Sequence, residues 1–295
     1  MPKRFSTARG REFGEGMRAV IANSGMNARE IADVLSWQEA KVSDVVTGKG
    51  GVSRLEVVML LSVCRAKAAE RDRLLELFPE RDLSGWWQLH GKCAPVRPRT
   101  AFANLAAAKT LISWHTHAMP VLLRTADYMR AVLTASATVS ADEMEERLHV
   151  LHEMQKLLSG GLDCTFYIHE LALDLQIGEP EEHIGQLQHL MLMSNWKKIR
   201  ILIVPSTVGA HAGIAGPFTQ LTFPKYQSLV WTETENSSLF IETKEAVEGY
   251  ADVIRALDEV SLDEDESRDL IVRRCVRLQE ATSQYSEYES EPSHD

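Results

Sequence analysis

The stretch Asn27–Gly48, NAREIADVLSWQEAKVSDVVTG, constrains this chain more than any other. It has the pattern of two short helices joined by a tight turn. Asn27 can cap the first helix through its side-chain oxygen, and Glu30, three residues on, can reach back to the Asn27 amide to complete a capping box. Ile31, Val34 and Leu35 form one apolar stripe, with Ala32 small where a second helix must approach. Leu35-Ser36-Trp37 turns the chain, Val42, Val45 and Val46 repeat at helical spacing, and Gly48 ends the second helix. This is the geometry of a helix–turn–helix, whose second helix lies in the major groove of DNA. The competing reading is an ordinary helical hairpin inside a core.

The flanking residues favour the first reading. Arg11–Ser24 is expected to be a preceding helix, with Phe13, Met17, Val20 and Ile21 on one face. Ser53–Ala66 follows, capped by Ser53 with Glu56 three residues later, and Arg71–Phe78 is a fifth helix. This run of helices before Pro79 resembles the lambda-repressor-like, xenobiotic-response-element (XRE) family of DNA-binding domains. The resemblance implies binding of double-stranded operator DNA by a homodimer through a recognition helix, Gln38–Thr47. Residues at its start face base edges. Gln38 suits a paired contact to adenine, Glu39 can accept from cytosine N4, Lys41 can donate to guanine or a phosphate, and Asp44 lies one turn on. Arg9 and Arg11, with Lys3 and Arg4, are expected to reach phosphates from a flexible arm, and Lys49 and Arg54 from the loop beyond the second helix. The chain departs from the family where glutamines are usual: Ala28 and Glu39 stand there instead. Asp44 replaces a common arginine, and Gln38 a common capping serine.

Net charge alone, −10, argues against nucleic-acid binding. Its distribution reverses that: residues 1–78 carry 13 Lys and Arg against 10 Asp and Glu, a net of +3, and the remainder carries 19 against 32, a net of −13. So small an excess makes weak binding the expectation for one copy and a two-fold site the source of affinity.

A chain of 295 residues favours two domains. Residues 10–78 are read as the DNA-binding domain, 79–99 as a connector, 100–282 as a second domain and 283–295 as a disordered acidic tail. In the connector, Trp86 and Trp87 are expected to dock by simple packing. FANLAAAKTLISWH is read as one helix with Phe102, Leu105, Leu111 and Ile112 in a stripe. Helices follow in Met119–Leu133, with Thr125 as cap, and Ser140–Gly160, with Ser140 and Glu143 as a capping box. Cys164–Glu170 and Lys198–Pro205 read as strands around a short helix before Gly178 and a longer one over Pro180–Asn195. FTQLTF, SLVWTET and SLFIET form an antiparallel meander, and two helices close the fold. The fold class is mainly α, α+β overall, with a mostly antiparallel sheet in the second domain.

The second half also resembles a known domain. Met119-Pro120-Val121-Leu122-Leu123-Arg124-Thr125-Ala126-Asp127-Tyr128-Met129-Arg130-Ala131 matches a signature found behind the helix–turn–helix of many actinobacterial regulators. His169–Leu173, Gln186–Leu190, Ile203–Pro205, Gly209–Gly213, Phe218, Trp231–Thr234 and Ser267-Arg268 agree in order. This resemblance, to WhiJ-like regulators with a C-terminal domain of unknown function, implies a cytoplasmic transcriptional regulator. It also implies a small partner protein encoded by an adjacent gene, in an antitoxin-like arrangement.

Other chemistry is thinly signalled. Ser206–Pro217 lacks phosphate-loop spacing and is followed by a strand, so its glycines serve a tight loop. His211 in that loop, with Tyr128 and Trp114, is the candidate contact for a small-molecule effector or a partner. The pairs His115/His117 and His149/His152 do not by themselves assemble the three or four ligands of a zinc site. No metal and no cofactor are expected, and no nucleophile–base pattern marks an enzyme. Met191 and Met193, with Leu187, Leu190 and Leu192, suit core filling, with a pocket or a dimer seam as the sharper option. Cys64, Cys93, Cys164 and Cys275 are scattered, as expected of buried thiols in the cytoplasm. No run is long enough to cross a membrane. The alternative function is an antitoxin-like protein-interaction module whose DNA binding is weak or lost.

Overall fold

The computed structural model describes residues 7–78, 86–89, 98–137, 139–234 and 237–290. The first five helices are α1 (Ala8–Ser24), α2 (Ala28–Leu35), α3 (Glu39–Val46), α4 (Arg54–Val63) and α5 (Ala68–Leu77). The expected boxes form: Asn27 and Glu30 exchange bonds of 2.8 and 3.0 Å at the start of α2, and Ser53 and Glu56 do the same at α4. The apolar stripes meet in one core of Phe13, Met17, Ile31, Val42, Val45, Leu60 and Leu74. Phe78 is extended, as a residue before proline must be.

The second part alternates strand and helix: β1 (Trp86–Leu89), α6 (Pro98–Ala107), β2 (Thr110–His115), α7 (Ala126–Ala135), α8 (Ala141–Gln155), β3 (Asp163–His169), α9 (Leu171–Asp174), α10 (Pro180–Met193) and β4 (Ile199–Val204). The chain then runs through β5 (Phe218–Thr222), β6 (Leu229–Thr234), β7 (Ser237–Ile241), α11 (Lys244–Val260) and α12 (Glu264–Ser290). The strands form one seven-stranded sheet of order β1-β7-β6-β5-β2-β3-β4. Its pairings are antiparallel except for β2–β3 and β3–β4, which the helical crossovers α7–α8 and α9–α10 make parallel. One face carries the larger core, Leu111, Phe166, Ile201 and Leu221 against Tyr128, Leu187 and Ile271. The other packs Trp114, Tyr167 and Phe218 against Leu257 of α11.

Three expectations change. The helix read across FANLAAAKTLISWH ends at Ala107, and Leu111 and Ile112 belong to β2 at the heart of the sheet. The β-branched and aromatic residues of that segment pair with strands on both sides, and this outweighs the helical spacing. The stretch read as a connector supplies β1, an edge strand paired with β7; the docking of the Trp86 and Trp87 side chains lies outside the described residues. α12 continues to Ser290, past the point where disorder was expected. Thr282 and Ser283 donate to carbonyls four residues back, at 2.9 Å each, and so do not break the helix.

The two parts are joined through α1. The Ala8 amide donates to both oxygens of Glu242, at 2.9 and 3.0 Å, so a carboxylate faces the positive end of the helix. Arg11 is buried, bonded to the Asn104 oxygen at 3.0 and 2.6 Å, 3.7 Å from Glu242, and lies over the Phe223 and Tyr226 rings. Glu12 accepts from Thr100 of α6 and pairs with Arg73 of α5 at 3.3 Å. Buried charges persist only when paired in this way. Burial holds the Arg11 guanidinium below its usual range and lifts the Glu242 carboxyl, each partly offset by the other's charge.

Candidate nucleic-acid interface

α2 and α3 meet at a tight elbow. Ser36 takes a left-handed conformation (φ 54°), and the Trp37 amide donates to the Ala32 carbonyl at 2.8 Å. Val42 and Val45 anchor α3 to the core, so the opposite face turns outward. Gln38, Glu39, Ala40, Ser43 and Asp44 are all exposed. Gln38 is the N-cap residue but makes no side-chain cap bond, which leaves its amide free to point away. α1 holds the far end of α3: Arg18 donates to the Val46 carbonyl at 3.0 Å. A Cβ at Gly14 would lie 2.7 Å from the Gly48 nitrogen and 2.8 Å from the Val46 oxygen. Only glycine allows that approach.

Several expected DNA contacts are otherwise engaged. Arg9 lies within α1, not on a flexible arm, and donates to the Leu77 and Glu76 carbonyls at 2.9 and 2.7 Å, where it closes the end of α5. Arg11 is buried in the network that joins the two parts and cannot reach a phosphate. Lys3 and Arg4 lie outside the described residues. Lys41 is ion-paired with Glu56 and sits 4.6 Å from the centre of the Trp37 ring; its bond holds the Glu56 carboxyl below the usual range. Arg54 is exposed and donates to the Leu75 carbonyl at 2.9 Å. Lys49 is exposed just beyond α3, and Arg29 is exposed in the first turn of α2. Arg29 was missed in the sequence, where its only signal is a position one residue into a capped helix.

Residues 99–273, more than half of the chain, match the family model described as a domain of unknown function, DUF5753. The chain belongs to the DUF5753 family. No curated protein matches it. Among solved structures, TrmBL2, an archaeal chromatin protein whose structure shows a novel mode of DNA binding, is similar at 12% identity. The match covers 83% of this chain and 92% of that one, with a TM-score of 0.33, too loose to carry a functional argument.

Within the DUF5753 region two of the three proposed contact residues are internal. Trp114 is fully buried, and its indole donates to the Gly213 carbonyl at 2.8 Å. A Cβ at Gly213 would stand 2.7 Å from that indole, so the glycine lets the loop seat on the tryptophan. Tyr128 is also fully buried, and its hydroxyl accepts from the Met119 amide at 3.1 Å. Both are supports of the DUF5753 fold rather than surfaces a partner can touch. His211 is half-buried; its Nδ1 accepts from the Gly213 amide at 3.1 Å, and its ring stacks on His169 at 5.8 Å. Desolvation, then the neighbouring His211, lowers the pKa of His169. Among the described residues no cluster of three His, Cys, Asp or Glu could hold a metal, and no helix is long and apolar enough to cross a membrane.

Proposed function

We propose that this DUF5753 protein is a DNA-binding transcriptional regulator of the helix–turn–helix type. In this reading α3 is the recognition helix and two copies bind a two-fold operator. The observation that carries the reading is the outward row of Gln38, Glu39, Ala40, Ser43 and Asp44 on a short helix anchored by Val42 and Val45. Gln38, with a free amide, is the first candidate for base readout. Arg29 at the start of α2 and Lys49 beyond α3 are the phosphate contacts, in place of Arg9 and Arg11. The second domain acts as a cytoplasmic sensor of a small molecule or a partner protein, not as an enzyme. α1 supports this coupling, because it packs on α3 through Gly14 and is held by Glu242 and Asn104 of the other part. A change around Glu242 therefore reaches the recognition helix through one rigid element.

Exposed Glu39 and Asp44, with Lys41 neutralised by Glu56, favour one second reading. In it the first domain touches DNA weakly and the chain works as an antitoxin-like partner of a small protein. Titration of duplex DNA at several salt concentrations separates the two. Arg29→Ala and Lys49→Ala should each lower the salt slope by about one, and Gln38→Ala should cost about 1–3 kcal/mol on specific sites only. Equal, salt-insensitive binding by all variants would remove the regulator reading.

A further inference from the structure

Helix α10 divides between two faces. His183, Gln186, Leu187, Leu190 and Met193 are buried. Glu181, Gly185, Gln188 and Leu192 recur at helical spacing on the opposite face. α12 runs antiparallel beside it. At one end Arg268 donates to the Ser194 hydroxyl at 3.2 Å, and at the other Gln279 and Ser283 stand across from Glu181, Gly185 and Gln188. Between the two helices lies an open groove of about 410 Å³.

The groove continues into an apolar surface. Leu192, one turn beyond Gln188, is 66% exposed, and Trp196 beyond it is exposed as well. Val272 and Val276 lie on the same face of α12 as Gln279 and Ser283, and both are exposed. Apolar side chains gathered in this way along two adjacent helices mark an interaction surface. Gly185 is the second observation. Glycine weakens a helix interior, yet a Cβ added there would meet nothing within 4 Å, so no contact inside the chain requires it. Charge is the third: Glu181 is exposed at the start of α10 and Lys197 just past its end.

We propose that two copies of this chain meet on the α10–α12 face. Its pattern is self-complementary, as a two-fold contact requires. With the two α10 helices antiparallel and the axis at Gln188, Leu192 of each copy sits over Gly185 of the other. The same register sets Lys197 of each copy beside Glu181 of the other, and the opposed helix dipoles agree with it. Val272 and Val276 widen the apolar centre, and the charges form its rim. This rests on the two-copy part of the reading above and names the surface that makes it.

Analytical ultracentrifugation of the full chain without DNA is the test. The parent should sediment with twice the mass of one chain at about 10 μM. Leu192→Asp should weaken association about tenfold or more with an unchanged circular dichroism spectrum, because the side chain it replaces is exposed within one copy. Glu181→Lys and Lys197→Glu should each weaken it about fivefold, each contact occurring twice across the axis, and the double variant should restore it. A parent that is monomeric up to about 100 μM gives the groove to some other occupant and overturns the proposal. A dimer that Leu192→Asp leaves intact, or a double variant no better than the single ones, also overturns it. Those results leave operator binding by α3 standing. A Leu192-dependent dimer that selects no two-fold site does the reverse.

Discussion

Gly14→Ala tests how closely α1 sits on α3. A methyl group there would lie 2.7 Å from the Gly48 nitrogen, 2.8 Å from the Val46 oxygen and 3.0 Å from the Val46 carbon. All three are backbone atoms, so no rotamer change relieves the clash; α1 must withdraw from the end of α3. Overpacking of this kind costs about 1–3 kcal/mol. Alanine returns about 1 kcal/mol of helix propensity. The net expectation is a loss of up to about 2 kcal/mol, or roughly 2–4 °C in Tm for each kcal/mol, where Gly249→Ala should gain. Gly249 in α11 is the matched control: nothing lies within 4 Å of its added Cβ, so Gly249→Ala keeps only the propensity gain. Urea unfolding of the three proteins measures both signs. If Gly14→Ala is stabilised as much as Gly249→Ala, the close approach of α1 to α3 is wrong.

Further outcomes follow from the buried groups. Glu242→Ala strips the Ala8 amide and the buried Arg11 charge of their carboxylate, and should cost about 3 kcal/mol in urea unfolding. Loss of less than half a kcal/mol would dissociate that pair from the joining of the two parts. Lys41→Ala should cost at most about 1 kcal/mol of stability, as for a part-exposed ion pair, and change DNA affinity little. A clear loss of affinity would return Lys41 to the interface. His115 is depressed to about 3, so it is neutral when folded but protonated when unfolded below about 6.5; its contribution to stability is complete above 6.5 and is lost as pH falls toward 3. Glu233 runs the other way, contributing fully below 4.5 and losing that contribution as pH rises to about 7. Stability–pH curves of His115→Asn and Glu233→Gln should therefore flatten in opposite senses; parallel curves would contradict both assignments.

Local signals in the sequence carried far. The capping boxes at Asn27 and Ser53, the Thr125 cap and Pro180 at a helix start all stand where residue chemistry placed them. The antiparallel meander of β5, β6 and β7 was likewise legible from alternation and turn residues. What local pattern could not carry was partnership over distance. Arg11 looks like a surface cation until Glu242 and Asn104, far along the chain, close around it. Leu111 and Ile112 continue a helical stripe until β3 and β5 pair with them. Trp114 and His211 were singled out together, yet only the fold shows the indole holding the loop and the imidazole resting beside it at 5.2 Å.

Selection from a pool of random duplex DNA, with the full chain at about 0.1 M salt, addresses α3 directly. The regulator reading expects a recovered motif with two inverted half-sites about one helical turn apart, and a changed or weakened motif for Gln38→Ala. A pool that stays random, or an identical motif recovered by the Gln38→Ala protein, would contradict it.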